Sequence, residues 1–291
     1  MFEIEIKLSC SEFNPEVIMK SGQVFRMYKE DGVYYAFSGI HEIGFHESTH
    51  GWKFYTTSEK DWNMFWIHYF GLSGKDDYES FNTVIRNSDD EFLKAALDFG
   101  QGMRILQQDL WETIVSFIIS QQNNIPKITK TINKFCVKLG EEKEFMCKGQ
   151  LKKYHTFPTA VKISDLSLSE LLDDSLLGYC AKYILLLAQD VSAGTFSLNS
   201  LKGQTNSEKA VNMLQTIYGV GPKVSNCISL YGLHHMDSYP IDVWVNRIIE
   251  QDYSNLSLKE YLAYINGNYK GFQGYVQQLQ FFYKRNLQNK L

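Results

Sequence analysis

The spacing of apolar residues changes once along this chain of 291 residues, and that change restricts the folds it can adopt. Near the N-terminus, the stretches FEIEIKL, VYYAFSG, EIGFHES and WKFYTTS are short and rich in β-formers, which predicts strands. Further along, apolar residues recur every three or four positions, which predicts helices. We therefore expect an α+β fold, with an N-terminal antiparallel sheet domain with flanking helices (1–100) before a helical domain (101–291).

The predicted helices carry start and stop signals of the expected kind. Several open at Asp, Ser or Pro and close at Gly. The candidates are DWNMFWIHYFG, DDEFLKAALDFG, DLWETIVSFIISQQNN, IPKITKTINKFCVKLG, SLSELLDDS, CAKYILLLAQDVSAG, SEKAVNMLQTIYG and VSNCISLYGL. No internal repeat or low-complexity segment interrupts them.

Composition narrows the class of protein. The sequence has no run of about 18 uncharged apolar residues and no cleavable apolar leader, so we expect a soluble, intracellular protein of the cytoplasm and no membrane contact. Its five cysteines are scattered without a C-x-x-C pair, which argues against a zinc or iron–sulfur site. We expect free thiols, no metal and no cofactor.

The net charge of −4 hides an uneven distribution. Residues 1–100 hold nine basic and seventeen acidic residues, whereas residues 201–291 hold nine basic and six acidic ones. Within residues 120–157 there are eight lysines and only three glutamates. This segment could face phosphates, or it could be a solvated helix surface, and charge alone does not separate the two.

The stretch IYGVGPKVSNC (217–227) predicts two helices joined by a tight turn, a helix-hairpin-helix over about 207–232. Gly219 and Gly221 can take positive φ, and Pro222 suits a first helical position. Free amides at the start of the second helix attract phosphate. A purely structural turn is the alternative. Lys223 on the first turn could be a solvated residue, and Asp242, which follows Pro240, could be an ordinary helix cap.

Taken together and in this order, the hairpin, Lys223 and Asp242 resemble the helix-hairpin-helix DNA glycosylase superfamily, in which a hairpin lysine marks members that are also lyases. The chain is more similar still to the 8-oxoguanine DNA glycosylase/lyase family, as a bacterial member. Four further segments carry this resemblance in the right order: SGQVFRM, GMRILQQDLWETIVSFIISQQNNIPKIT, LLGYCAKYI and GYVQQLQFF. The resemblance implies damaged double-stranded DNA as the partner and a monomer as the working form.

The resemblance also implies roles for individual residues. Lys223 would attack C1′ of the sugar as a neutral amine, which requires a site that disfavours the ammonium, and Asp242 would stabilise positive charge on the sugar. The extruded base would meet Phe281, Cys227, Gln277 and the carbonyl of Gly22. DNA contacts would come from Gln122, Asn123, Asn124, Lys127, Tyr179, Gly219, Gly221, Val224 and Trp244. Singly, Phe281 and Tyr179 could equally be core aromatics and Cys227 a small buried apolar residue.

The chain departs from the pattern of eukaryotic family members at four positions. Cys180 and Lys127 stand where arginines help to recognise the cytosine opposite the lesion, Gln122 stands where an asparagine does, and Trp244 replaces a histidine. A cysteine cannot read a base edge bidentately as an arginine does. We therefore expect weak discrimination of the opposite base.

Three other functions remain open from the sequence. A glycosylase for alkylated bases would generally lack Lys223. An endonuclease III-like enzyme acting on oxidised pyrimidines would usually carry a C-terminal four-cysteine cluster, whereas no cysteine follows Cys227. A helix-hairpin-helix module that only binds DNA would need neither Asp242 nor the C-terminal pocket residues.

Overall fold

The structure is a computed structural model that describes residues 1–172 and 177–288. Its N-terminal part contains a five-stranded antiparallel sheet with the strand order β1-β5-β4-β3-β2. The strands are β1 Phe2–Ile6, β2 Met27–Glu30, β3 Val33–Ser38, β4 His41–Ser48 and β5 Gly51–Thr56. The predicted N-terminal antiparallel sheet is confirmed, with β2 as a strand that the sequence analysis did not identify.

Helices make up most of the remainder of the described chain. They are α1 Pro15–Lys20, α2 Glu59–Asp61, a π-helical turn Trp62–Trp66, α3 Ile67–Tyr69, α4 Tyr78–Arg86, α5 Glu91–Phe99, α6 Leu110–Ile119, α7 Ile125–Leu139, α8 Ala160–Ser164, α9 Leu168–Leu172, α10 Cys180–Ala193, α11 Leu198–Lys202, α12 Ser207–Leu214, α13 Pro222–Gly232, α14 Val243–Asp252, α15 Leu258–Asn268 and α16 Gln273–Gln288. The α+β class is therefore confirmed. The part of the SLSELLDDS prediction that covers residues 173–175 lies outside the described residues.

Both faces of the sheet are covered, so every residue of β3 is buried. On one face, the fully buried Trp62 and Trp66 of the π-helical turn join the sheet aromatics. The other face packs against a hairpin of β6 (Glu142–Cys147) and β7 (Gln150–His155), where Tyr154 stacks on Phe37 at 5.0 Å between ring centroids. A mid-chain segment thus completes the N-terminal layer.

The β6–β7 hairpin was not predicted. Its strands bury only Phe145, Cys147 and Tyr154, so most of the residues are polar and the alternating pattern is faint. Conversely, α4 and α5 belong to the large helical core, to which they contribute Ile85 and Leu93. The two structural layers are therefore interleaved in sequence around residue 100.

One buried ion pair connects the sheet, α6 and the hairpin. The guanidinium of Arg26 lies 2.9 Å from a carboxylate oxygen of Glu112, and both side chains are buried. The backbone N–H of Gly39 donates to the same Glu112 oxygen at 2.6 Å, and Arg26 also donates to the carbonyl of His155. Burial raises the pKa of Glu112, while the Arg26 charge and the Gly39 N–H act in the opposite direction.

We expect Arg26→Met to lower the free energy of unfolding by about 3–5 kcal/mol, because it leaves the Glu112 carboxylate buried without its cation. Denaturant unfolding measures this change. The matched control is Lys94→Met, which removes the Lys94 partner of the exposed Glu91 and should cost less than about 1 kcal/mol. Equal effects of the two substitutions would contradict the role given to the buried pair.

Candidate active site

The helix-hairpin-helix consists of α12, the turn 215–221 and α13. Helix α12 ends at Leu214, before the Gly219 turn at which the sequence pattern predicted its end, and the connecting turn continues to Gly221. Gly219 has φ +86°, and a Cβ at this position would lie 2.4 Å from the ring of Tyr183. Gly219 is therefore required for backbone conformation and for space.

The start of α13 leaves backbone donors available. Gly221 is the N-cap and offers no side chain to the first-turn amides; its φ of −94° is ordinary, so the expectation of positive φ holds for Gly219 alone. Val224, on the same first turn, is buried. These free amides and the helix dipole favour an anion here.

Lys223 lies on the first turn of α13 and is half-buried. Its Nζ is 5.7 Å from the centroid of the Phe117 ring, and Phe117 stacks on Tyr231 at 5.5 Å. Cys227 follows one turn later and is buried. The amine is therefore held against an apolar wall rather than directed into bulk water.

Asp242 caps α14, as one interpretation of the sequence anticipated. Its Oδ1 accepts hydrogen bonds from the backbone N–H groups of Trp244 at 2.9 Å and Val245 at 3.0 Å. Burial raises the pKa of the Asp242 carboxyl, while these N–H groups and Lys223 oppose that shift. The cap fixes the carboxylate at the edge of a partly apolar site.

Cys227 feels the charges of both Lys223 and Asp242. Burial raises the pKa of the Cys227 thiol; the Asp242 charge adds to this effect, and the Lys223 charge opposes it. All three groups therefore interact, although Lys223 and Asp242 are nineteen positions apart in sequence. Within the described part of the chain, Lys223 forms no ion pair closer than 4.0 Å.

A second group of predicted residues gathers where α16 meets the segment after α1. Gly22 has φ +87°, and a Cβ there would lie 2.9 Å from Nη1 of Arg285 and 3.4 Å from the Phe281 ring. The guanidinium of Arg285 covers the Phe281 ring at 5.0 Å. The Trp244 ring lies edge-on to Phe281 at 6.4 Å. Trp244 thus joins the pocket group rather than the hairpin.

Gln277 carries an unpaired polar atom in this region. The residue is 4% exposed, yet its side-chain oxygen has no hydrogen-bond partner in the described structure. The neighbouring Gln278 is fully engaged, since its Nε2 donates to the Ser21 carbonyl at 2.9 Å and its Oε1 accepts from Tyr231. Buried acceptors in proteins normally have a hydrogen-bond donor, so the unpaired Gln277 oxygen indicates a position where a ligand could donate.

The loop between α6 and α7 presents polar residues to solvent. Gln122 is exposed and has φ +55°, whereas the side chain of Asn123 donates to the Ile119 carbonyl at 3.0 Å. Asn124 caps α7 by accepting from the backbone N–H of Lys127 at 3.0 Å. Of the three predicted polar residues, Gln122 is therefore the best placed to reach out.

Tyr179 stands beside this loop and the hairpin turn. It is 47% exposed, and its hydroxyl donates to the Gln121 carbonyl at 3.0 Å. The Gln121 side chain in turn donates to the Gly219 carbonyl at 3.0 Å. Leu176, the first residue of the LLGYCAKYI segment, lies outside the described residues.

Four residues that shape these surfaces were not predicted from the sequence: Gln121, Tyr183, Phe117 and Arg285. Tyr183 follows Tyr179 by one helical turn, and that spacing was an available signal. The roles of the other three depend on contacts between distant segments, which no local pattern reports.

Comparison with known proteins identifies the class. Residues 5–114 match the 8-oxoguanine DNA glycosylase N-terminal domain family, and residues 115–263 match the HhH-GPD superfamily of base excision DNA repair proteins. The chain is 34% identical to the N-glycosylase/DNA lyase of Saccharomyces cerevisiae over 198 residues, which cover 65% of this chain and 51% of the yeast protein. It therefore spans about half the length of that relative.

Two solved structures resemble the whole chain. MBOgg1 in complex with a low-affinity DNA ligand has a TM-score of 0.86 and 30% identity, covering 99% of this chain and 100% of that one. The Clostridium acetobutylicum 8-oxoguanine glycosylase/lyase, in complex with DNA containing cytosine opposite 8-oxoguanine, has a TM-score of 0.83 and 30% identity, with coverages of 96% and 93%. The chain belongs to the 8-oxoguanine DNA glycosylase/lyase family of the HhH-GPD superfamily.

We expect Gln277→Met to raise the free energy of unfolding by about 1 kcal/mol, because it removes a buried acceptor that has no partner while keeping the side-chain volume. The matched control is Gln280→Met on the same helix. Gln280 accepts from the hydroxyls of Tyr239 and Tyr261, so its loss should destabilise by about 1–2 kcal/mol. Denaturant unfolding compares the two, and a destabilised Gln277→Met would contradict the open acceptor.

Proposed function

We propose that this protein is a base-excision-repair DNA glycosylase with AP-lyase activity that removes 8-oxoguanine from duplex DNA. One observation carries the proposal: a half-buried lysine on the first turn of a hairpin helix shares an electrostatic environment with a desolvated aspartate. Beside them, Gln277 keeps a buried acceptor open. Family membership supports the same reaction.

The chemistry follows from these groups. The neutral amine of Lys223 attacks C1′, the C1′–N9 bond breaks, and its electron pair leaves with the base. The Asp242 carboxylate stabilises the positive charge that develops on the sugar, and its partly desolvated position strengthens that interaction. One Nζ proton goes to the departing base and the other to O4′ when the C1′–O4′ bond opens, which leaves Lys223 joined to C1′ as an imine. Removal of a C2′ proton expels the 3′ phosphate and cuts the strand.

The damaged base is read by the group around α16. Phe281 stacks on one face of the extruded base, and Cys227 lies against the other. Gln277 bonds its Watson–Crick edge, and the carbonyl of Gly22 accepts from the protonated N7 that distinguishes 8-oxoguanine from guanine. The crowding around Gly22 supports this assignment, because any side chain there would displace Phe281 or Arg285.

The DNA backbone is held by the hairpin and by the loop between α6 and α7 (residues 120–124), which we call the junction loop. The amides of Gly219, Gly221 and Val224 bind phosphate at the start of α13. Tyr179 enters the space that the base leaves, and Gln122, Asn123, Asn124 and Lys127 approach the orphaned partner. The hydrogen bonds that join Tyr179, Gln121 and Gly219 support a single rigid surface.

Opposite-base recognition is weak in this proposal. Cys180 is 2% exposed, and its thiol donates to the Ile118 carbonyl at 3.2 Å, so it is turned into the protein. Lys127 is exposed but offers a point charge rather than a planar fork. Neither residue supplies the bidentate contact that selects cytosine.

The working form is a monomer, because every residue assigned above comes from one chain. Its sheet domain falls mainly within residues 1–100 and its helical domain mainly within residues 101–291, with α4, α5 and the β6–β7 hairpin packed across that boundary. It acts on chromosomal DNA in the cytoplasm, at the nucleoid. In the described part of the chain, no helix has the length and apolar character needed to cross a membrane.

We expect borohydride to trap a covalent adduct between the protein and duplex DNA containing 8-oxoguanine, because an imine at Lys223 can be reduced to a stable amine. Lys223→Gln should still bind this DNA and give no adduct. The matched control is Lys209→Gln, an exposed lysine on α12, which should trap as wild type does. Gel separation measures the adduct, and a trapped Lys223→Gln would overturn the assignment.

We expect single-turnover excision of 8-oxoguanine opposite C, A, G and T to proceed at rates within about tenfold of one another, a spread of about 1.4 kcal/mol. Cys180→Arg should widen the range in favour of C if the added guanidinium reaches the opposite base. A strong preference for C in the wild-type protein would contradict the proposed weak discrimination.

A further inference from the structure

The lysine excess within residues 120–157 separates into two parts in the structure. Three of the four lysines of the β6–β7 hairpin pair with glutamates: Lys143 with Glu141 at 2.8 Å, Lys152 with Glu30 at 2.8 Å, and Lys153 with Glu142 at 2.9 Å. The fourth, Lys148, lies in the turn between the two strands. The charge of the hairpin is therefore largely balanced, and most of the unbalanced charge lies elsewhere in the segment.

It lies on α7, which contains four lysines and no acidic residue. Lys127, Lys130 and Lys134 are exposed, and in the described part of the chain none of them has an ion pair within 4.0 Å. Lys138, one turn further on, donates to the carbonyl of Glu170 at 3.3 Å. We call Lys127, Lys130 and Lys134 the lysine row.

The lysine row forms one face of the helix. Spacings of three and four residues place side chains above one another, and the opposite face packs Ile128, Ile132 and Phe135 into the helical core. From Lys127 to Lys134 the helix advances about 10 Å at its ordinary rise per residue. Over that length, one strand of B-form DNA carries about three phosphates.

The row is continuous with the proposed DNA surface. Lys127 is the first residue of the row along the chain, and its backbone N–H donates to Asn124, the residue of the junction loop that caps α7. The first hundred residues have the opposite sign, with seventeen acidic and nine basic residues, and the whole protein carries a net charge of −4. The positive charge of the row therefore belongs to one part of an acidic molecule.

We propose that the lysine row binds the phosphate backbone of duplex DNA that flanks the lesion, outside the nucleotides contacted by the hairpin and the pocket. This inference rests on the proposed function. The row attracts any duplex, because it reads charge and not sequence, and it aligns the DNA axis relative to the hairpin. Each phosphate that it neutralises releases counterions, so its contribution falls as salt rises.

The test compares Lys130→Gln/Lys134→Gln with wild type in binding to a lesion duplex with long flanks, from about 50 to 200 mM salt. Loss of two phosphate contacts should lower the slope of log affinity against log salt by about 1.8, which reduces the affinity change over this range about tenfold. Single-turnover excision at saturating enzyme should be unchanged, because neither lysine touches the reacting sugar. The melting temperature shows that the variant is folded.

The matched control is Lys143→Gln/Lys153→Gln, which makes the same change in net charge at lysines that are already paired with glutamates. Its salt slope should remain near that of wild type. Equal slopes for both double variants, or a row variant with the wild-type slope, would overturn the proposal. Trimming the duplex flank that the row contacts should abolish the difference between wild type and the row variant, and trimming the other flank should leave it unchanged. A difference that survives the trimming of each flank in turn also overturns the proposal.

Failure of the proposed function has a different signature. In that case wild type would neither excise 8-oxoguanine nor prefer lesion duplex at any salt concentration. If the wild-type protein excises the base and shows a steep salt slope, and the row variant has the same slope, only the role of the lysine row is refuted.

Discussion

The buried pair of Arg26 and Glu112 is the contact on which the rest of the arrangement depends. Arg26 directly precedes β2 and Glu112 lies in the first turn of α6, so their attraction fixes that helix against the sheet. Burial makes the pair intolerant of separation, because either charge left alone would be desolvated. Helix α6 then carries Phe117 to the Lys223 amine and ends at the junction loop.

The site combines polar groups that have hydrogen-bond partners in the protein with polar groups that have none among the described residues. Gln278 and Asp242 are held by hydrogen bonds that also order the chain around them, at Ser21 and at the start of α14. Gln277 and Lys223 lie beside these anchors without equivalent partners among the described residues. A rigid frame around open groups reduces the ordering cost when a ligand binds, and it lowers the stability of the free protein.

Much of this molecule could be predicted from local patterns. Apolar residues at every second position predicted the sheet strands. Apolar residues spaced three and four apart predicted the helices, including α12 and α13 of the helix-hairpin-helix. Prediction failed where the signal was weak or ambiguous. The β6–β7 hairpin was not predicted because its strands bury few residues, and β2 was not predicted because three of its four residues are exposed.

By itself, the sequence determined the elements and the chemical groups, since periodicity, glycine conformation and the presence of Lys223 and Asp242 are local properties. Only the tertiary structure decided which groups share a site. Gly22 and Phe281 are more than 250 positions apart, yet the close packing around Gly22 joins them. The distribution of charge is a second example. The composition shows how many lysines residues 120–157 contain, but only the structure shows that some of them pair with glutamates while the lysine row on α7 faces solvent. Contacts between distant segments depend on how buried surfaces pack, and no local pattern records that.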